Sequence, residues 1–152
     1  MLNYNIDDVE VTRAIRRLYK KSPELRRRIL SYIGEAVVNR TVEHHLTGQT
    51  LKRQTGTLAK SINYRLKNDD VVRVGTNVAY AAIHEFGGEI HAKNAAYLRF
   101  KVKDQWIMAK KVTIPKRPYL WPSVEWVMNN EADKIFNKQA QQWLDKEFTD
   151  RS

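Results

Sequence analysis

The 152-residue chain has no cysteine. Disulfides, thiolate metal sites and thiol catalysis are thereby excluded, and a reducing compartment fits. There are only four histidines, which disfavours a metal centre from the start. No apolar run nears the roughly 20 residues of a membrane-spanning helix. The first ten residues, MLNYNIDDVE, carry neither the basic start nor the apolar stretch of a secretory signal. The protein is therefore expected to be made and folded in a cytoplasm. Glycine-rich phosphate loops are missing. Gly87-Gly88 lacks both GxGxxG and P-loop spacing, and a turn needing positive φ explains the pair. There is no internal repeat and no low-complexity segment.

What is present is an ordinary globular composition, 42% apolar and 29% charged. The length suits one domain that buries a core unaided. The expected layout is a single domain over 1–152, with a helical part over 1–50, a β-rich core over 55–120 and a C-terminal helix over 121–150. The net charge of +10 is unevenly spread. Residues 1–53 carry eleven Lys/Arg against six Asp/Glu, residues 54–120 twelve against five, and residues 121–152 four against six. A basic middle and a slightly acidic tail point to nucleic acid, an acidic protein neighbour, or head-to-tail assembly of like subunits.

Periodicity divides the chain. Asp8 to Tyr19 reads as a short helix with Val11, Ile15 and Leu18 on one face and Arg13, Arg16 and Arg17 mostly off it. Ser22 is a good N-cap and Pro23 suits the first position of a second helix that runs to about His45 or Leu46. Leu25, Ile29, Tyr32, Ile33, Ala36 and Val37 form its apolar stripe, and Thr47-Gly48 ends it. LKRQTGTLAKSI reads as a loop leading into one turn. INYRLKN, DDVVRVGT and NVAY then alternate with period two. AAIHEFGG looks like one helical turn closed by two glycines, and AAYLRFKVK and WIMAKKVTI should pair as a hairpin across Asp104. Pro115, Pro118 and Pro122 interrupt the chain before a strong amphipathic helix from Ser123 to about Phe148, whose buried face is Val124, Val127, Met128, Ile135, Trp143 and Leu144. The order predicts an α+β fold: a mostly antiparallel sheet with N-terminal helices and a long C-terminal helix packed on it.

The stretch YAAIHEFGGEI, Tyr80 to Ile90, raises a question of chemistry through its His84-Glu85 pair. A zinc-protease helix needs His-Glu-x-x-His. Gly88 stands where the second histidine belongs, and His91 lies beyond the Gly-Gly break. The adjacent His44-His45 point about 100° apart on a helix and cannot chelate together. Ser31, Ser61 and Ser123 sit in no Gly-x-Ser-x-Gly elbow. Glu85 and Glu89 form the kind of carboxylate pair that any helix surface offers. His84 reads as a polar contact at the end of a turn, Phe86 as a core residue, and the glycines as a chain reversal.

Two features read as surfaces for partners. Arg26-Arg27-Arg28 and the hairpin residues Lys101, Lys103, Lys110 and Lys111 could contact phosphates, with Tyr97 and Phe100 stacking on bases. The plain alternative is a solvated face with core aromatics. In VTIPKRPYLWPS, three prolines hold the chain extended and present Arg117, followed by Tyr119, Leu120 and Trp121. A stiff segment bearing Arg, Tyr and Trp suits an interface anchor, because docking orders little. A rigid lid over the last helix is the other reading.

These motifs also carry a likeness. TGTLAKSI (Thr55 to Ile62), VGTNVAYAAIHEFGG (Val74 to Gly88) and TIPKRPYL (Thr113 to Leu120), followed by a C-terminal helix, resemble the phage virion morphogenesis family, the tail completion proteins of Mu-like and P2-like phages. A more distant likeness to the HK97 gp10-like tail-component family covers the same glycine, tyrosine and Glu-Phe-Gly positions. Relatives often have a small residue where Lys116 stands and a glycine where Trp121-Pro122 stands, which bears on detailed partner contacts. The motif residues carried by the likeness are Gly56, Leu58, Ser61, Tyr80, His84, Glu85, Phe86, Gly87, Gly88, Ile114, Pro115, Arg117, Pro118, Tyr119 and Leu120.

The resemblance implies a structural virion protein with no catalysis, no cofactor and no metal, made in the bacterial host and placed in the tail or neck. It implies tail completion and head–tail joining, with other tail and neck proteins as partners and a homo-oligomeric ring, commonly of six subunits, as the form. A basic lumen would tolerate DNA passing through. The reading from another class is a nonspecific basic DNA-binding protein, separable by the salt dependence of duplex binding. A hydrolase would need a convergent triad in the fold.

Overall fold

The computed structural model describes residues 16–48 and 56–150. Asp8, Val11, Arg13 and Ile15 of the expected first helix, and Thr55 of the first motif, lie outside the described residues. Residues 16–21 are helical (α1). Ser22 separates α1 from α2 (Pro23–His45): its hydroxyl accepts from the Leu25 N–H at 3.2 Å. Pro23 stands where a missing N–H costs nothing. After the α2 C-cap, Leu46, come α3 (Thr57–Ser61), β1 (Asn63–Asn68), β2 (Val71–Gly75), α4 (Ala81–Phe86) and β3 (Gly88–His91). The chain continues through β4 (Leu98–Val102), β5 (Gln105–Ala109), β6 (Lys111–Ile114), α5 (Trp121–Asn130) and α6 (Ala132–Thr149).

Helices with antiparallel strands and a long helical C-terminus make this an α+β fold, as the periodicity predicts. The strands form three two-stranded ladders, β1–β2, β3–β6 and β4–β5, rather than one continuous sheet. The hairpin across Asp104 is present, with Phe100 opposite Ile107 and Val102 opposite Gln105. Its second half divides, because KVTI turns back to pair with GEIH, Gly88 facing Ile114. NVAY, expected to alternate as a strand, is instead the approach to α4.

α2 is the spine. The β1–β2 hairpin lies on it, as do α5 and α6. Gly34 permits the close approach of the hairpin: a Cβ there would stand 2.8 Å from the Tyr64 ring and from Val72. The arginine run fastens both sides. Arg26 and Arg27 pair with Asp70 and Asp69 in the β1–β2 turn at 2.9 and 3.7 Å. Arg28 donates to Gln139 and Gln142 of α6 at 2.7 and 3.1 Å. Arg26 also donates to the carbonyls of Tyr19 and Lys20. Its Nε meets Asp70 off the N–H direction, so that contact is ionic rather than a directed hydrogen bond.

Two apolar cores result. Leu25, Ile29 and Ala140 are buried with Leu18, Tyr19, Ile33, Phe136 and Trp143 around them. Leu46, Leu58, Ile62, Ala81 and Tyr119 form the other, with Val38, Val42 and Leu120 against it. Two residues expected in apolar stripes are exposed instead. Tyr32 lines an open cleft between α2 and the α5–α6 pair, and Met128 faces solvent on α5. Val127 takes the inward position of α5, and Met128, about 100° round the helix, faces out. The expected single C-terminal helix is also interrupted. Glu131 leaves helical geometry at φ −122°, after the poor helix formers Asn129-Asn130. The two halves then bury separate faces, Val127 from one and Ala132 and Ala140 from the other.

Candidate functional site

The three motif segments meet. Leu58 and Ile62 from the first, Ala81 from the second and Tyr119 from the third share one core with Leu46. In the first motif, Gly56 takes φ 72°, a left-handed conformation natural to glycine, and its carbonyl accepts from the Lys60 N–H at 3.0 Å to open α3. Ser61 donates to the Leu58 carbonyl at 2.8 Å and lies 2.6 Å from the Thr76 hydroxyl. Ser61 commits its one proton to the Leu58 carbonyl, so Thr76 donates to Ser61 while its Oγ1 accepts from the Val78 N–H. A short hydroxyl relay thus ties α3 to the segment entering α4.

The second and third motifs are fastened by a buried carboxylate. Glu85 is 7% exposed. Its Oε2 accepts from the N–H groups of Tyr119 at 2.8 Å and Leu120 at 3.0 Å, and its Oε1 from that of Trp121 at 2.9 Å. These donors open α5. The first N–H groups of a helix have no partner within it and carry the positive end of its dipole. No side chain of the local segment caps this end, and Pro122 removes one donor outright. A carboxylate from 36 residues earlier supplies both the acceptors and the charge. Glu85 is thus not half of a reactive carboxylate pair: both its oxygens are occupied, and Glu89 pairs outside with Lys111 at 2.9 Å.

Three further contacts close this buckle. The Arg117 N–H donates to the His84 carbonyl at 2.8 Å. Gly88 faces Ile114 across the β3–β6 ladder. Gly87 adopts φ 70° and lies so near the third motif that a Cβ would stand 2.8 Å from the Lys116 nitrogen. Positive φ and close backbone approach both require glycine there. Tyr119 is buried, donates to the Ala81 carbonyl at 3.3 Å, and has its phenol pKa raised to about 12 by burial, with the nearby Glu85 charge adding to the shift. Ser123 is fully buried and donates to the Tyr119 carbonyl at 2.9 Å.

Two expectations change here. Phe86, expected in the core, is 73% exposed. One turn of helix cannot bury every apolar side chain, and the inward positions are taken by Ala81 and Glu85. Tyr119, expected to face a neighbour, is core, because its N–H and hydroxyl are both directed into the α4 turn. Outside the buckle remain the exposed Phe86, Trp121, Tyr80, Pro115 and Arg117 side chains, with Pro118 half-buried. His84, expected to make a polar contact, instead packs its ring edge-on against Tyr80 at 5.9 Å, and its buried Nδ1 meets no hydrogen-bond partner among the described residues. Sequence reasoning missed the capping role of Glu85. The available signal was negative: Tyr119-Leu120-Trp121-Pro122 opens a helix without Ser, Thr, Asp or Asn, so an acceptor must come from elsewhere.

A family model, phage virion morphogenesis family, matches residues 37–145. The chain belongs to the phage virion morphogenesis family. The match runs from the second half of α2 to the second half of α6, and so includes the whole buckle. No curated protein and no solved structure matches the chain. Family membership makes this a phage morphogenesis protein associated with virion building and with other virion proteins. Among the described residues no helix is long and apolar enough to cross a membrane.

Proposed function

We propose that this protein is a tail-completion or neck component that acts in tail termination and head–tail joining, as one domain, by contact rather than catalysis. The observation that carries the reading is the buckle. Of the residues that look most chemical, Glu85 and Tyr119 use their side chains to hold backbone and His84 its carbonyl, while large apolar groups stand outside them. Rigid backbone beside exposed Phe86 and Trp121 and the Arg117 side chain is the composition of an interface anchor. A homo-oligomeric ring, six subunits in the expected form, would place these groups against neighbours in the neck.

The reading is tested in a phage carrying this gene. Deletion should leave unjoined heads and abnormal tails by electron microscopy, and the wild-type gene in trans should restore joining. Arg117→Ala should reduce joining while leaving the fold intact. Fully infectious particles after deletion would overturn the proposal. Nonspecific DNA binding has weaker support than the charge implies, since Arg26, Arg27 and Arg28 make contacts within the fold. Steeply salt-dependent duplex binding by a monomer would favour it instead.

A further inference from the structure

The β4–β5 hairpin packs chiefly on itself. A two-stranded hairpin that packs on little besides itself is marginal alone. The register places Arg99 opposite Met108 and Lys101 opposite Trp106, so these four share one face. Trp106 and Met108 are 61% and 64% exposed, and the Arg99 guanidinium stacks 4.5 Å from the Trp106 ring centre. From Leu98 to Ala109 the arm carries three cations, Arg99, Lys101 and Lys103, against Asp104, which pairs with Lys101 at 2.8 Å. Its tip turns through Lys103 and Asp104, both at positive φ. Trp, Met and Arg on a face rich in positive charge match the anchor composition of protein interfaces.

The cleft between α2 and α5–α6 has the opposite character. It is an open space of about 590 Å³ whose walls include Tyr32, Ala36, Trp126 and Ile135, with Glu35, Glu43 and Glu131 among its polar residues. Its one Lys/Arg side chain, Arg40, lies over the Trp126 ring at 3.8 Å. The cleft thus offers apolar wall with carboxylates, while the arm offers apolar anchors with cations.

We propose that the Arg99–Met108 face of the arm docks in this cleft of a second copy of the chain. The proposal rests on the assembly reading above and names its contact. The two complementary surfaces lie on different elements of one chain, and the arm does not pack on α2, α5 or α6 as a major contact. Each copy therefore offers a donor arm and an acceptor cleft. Such a contact is head-to-tail, and it propagates into a ring or filament rather than stopping at a two-fold dimer.

The absence of cysteine makes the test clean. Met108→Cys and Tyr32→Cys full-length proteins, mixed under mild oxidation, should form a covalent dimer in much greater yield than either variant alone. The double variant should give a ladder of multimers. Lys101→Glu should weaken association about tenfold, and Glu131→Lys in the partner should restore part of it. Circular dichroism checks that each variant is folded. The proposal is overturned by mixed cross-linking no greater than for a Lys67→Cys and Tyr32→Cys pair, by arm-to-arm linking, or by a link within one chain. Unjoined heads on gene deletion together with failed cross-linking would sink only the arm contact. Cross-linking together with infectious deletion particles would sink only the assembly role.

Discussion

Replacing Glu85 should damage the fold more than its place in an exposed-looking His-Glu pair suggests. Its carboxylate accepts three backbone N–H groups at 2.8, 2.9 and 3.0 Å. A hydrogen bond to a charged group contributes about 1.5–3 kcal/mol, so the gross interaction is about 5–9 kcal/mol. Removing the side chain admits water to the part-buried Leu120 and Trp121 donors, which recovers some of that. The Tyr119 donor is buried and recovers least. Glu85→Ala should therefore cost about 3–5 kcal/mol, a large share of the 5–15 kcal/mol typical of a domain. Glu85→Gln keeps one oxygen for Tyr119 and Leu120 but turns an NH₂ toward the Trp121 donor, and should cost about 2–3 kcal/mol. The measurement is urea unfolding followed by far-ultraviolet circular dichroism and tryptophan fluorescence. Glu89→Gln, an exposed carboxylate beside Lys111, is the control and should change little. If Glu85→Gln unfolds within about 0.5 kcal/mol of wild type, the carboxylate is not the fastener and the account of the buckle fails.

Gly87→Ala should destabilise by about 2–3 kcal/mol, combining positive-φ strain with a clash against Lys116 backbone. Gly75→Ala, where an added Cβ meets nothing within 4 Å, should cost far less in the same urea titration. Tyr119 titrates with a folded pKa raised to about 12 from an ordinary 10.0. The unfolded chain therefore loses this proton first. The stabilisation is full below pH 10 and is lost as pH rises through about 12. Tyr119→Phe, lacking the hydroxyl bond to Ala81, should be about 1 kcal/mol less stable at pH 7. Denaturant midpoints should show that gap narrowing above pH 10, and a gap that widens there would contradict the burial of the phenol.

Much of the outline is legible in the residues. The Ser22-Pro23 start of α2, its end near His45, the hairpin across Asp104 and the glycine reversal after Phe86 follow from local chemistry. A hydroxyl beside a first-turn proline and a period of two act over a few residues. The family likeness rests on motifs of the same local kind. What misled was side-chain direction. Phe86, Tyr32 and Met128 look like core by type and spacing, yet face outward. Burial depends on which face a neighbour covers: on α5 the inward position is taken by Val127, which leaves the adjacent Met128 in solvent.

The sequence by itself determined most of the elements, the absence of thiol chemistry, the charge asymmetry and the family, because each is read from residue types along the chain. Only the tertiary structure decided that Glu85 caps a helix opening 36 residues later, that the arginine run is used within the fold, and that the arm and cleft stand open. Those outcomes turn on distances between groups far apart in the chain. A carboxylate becomes a fastener, a reactive group or a surface charge according to which donors the packing brings within about 3 Å of it.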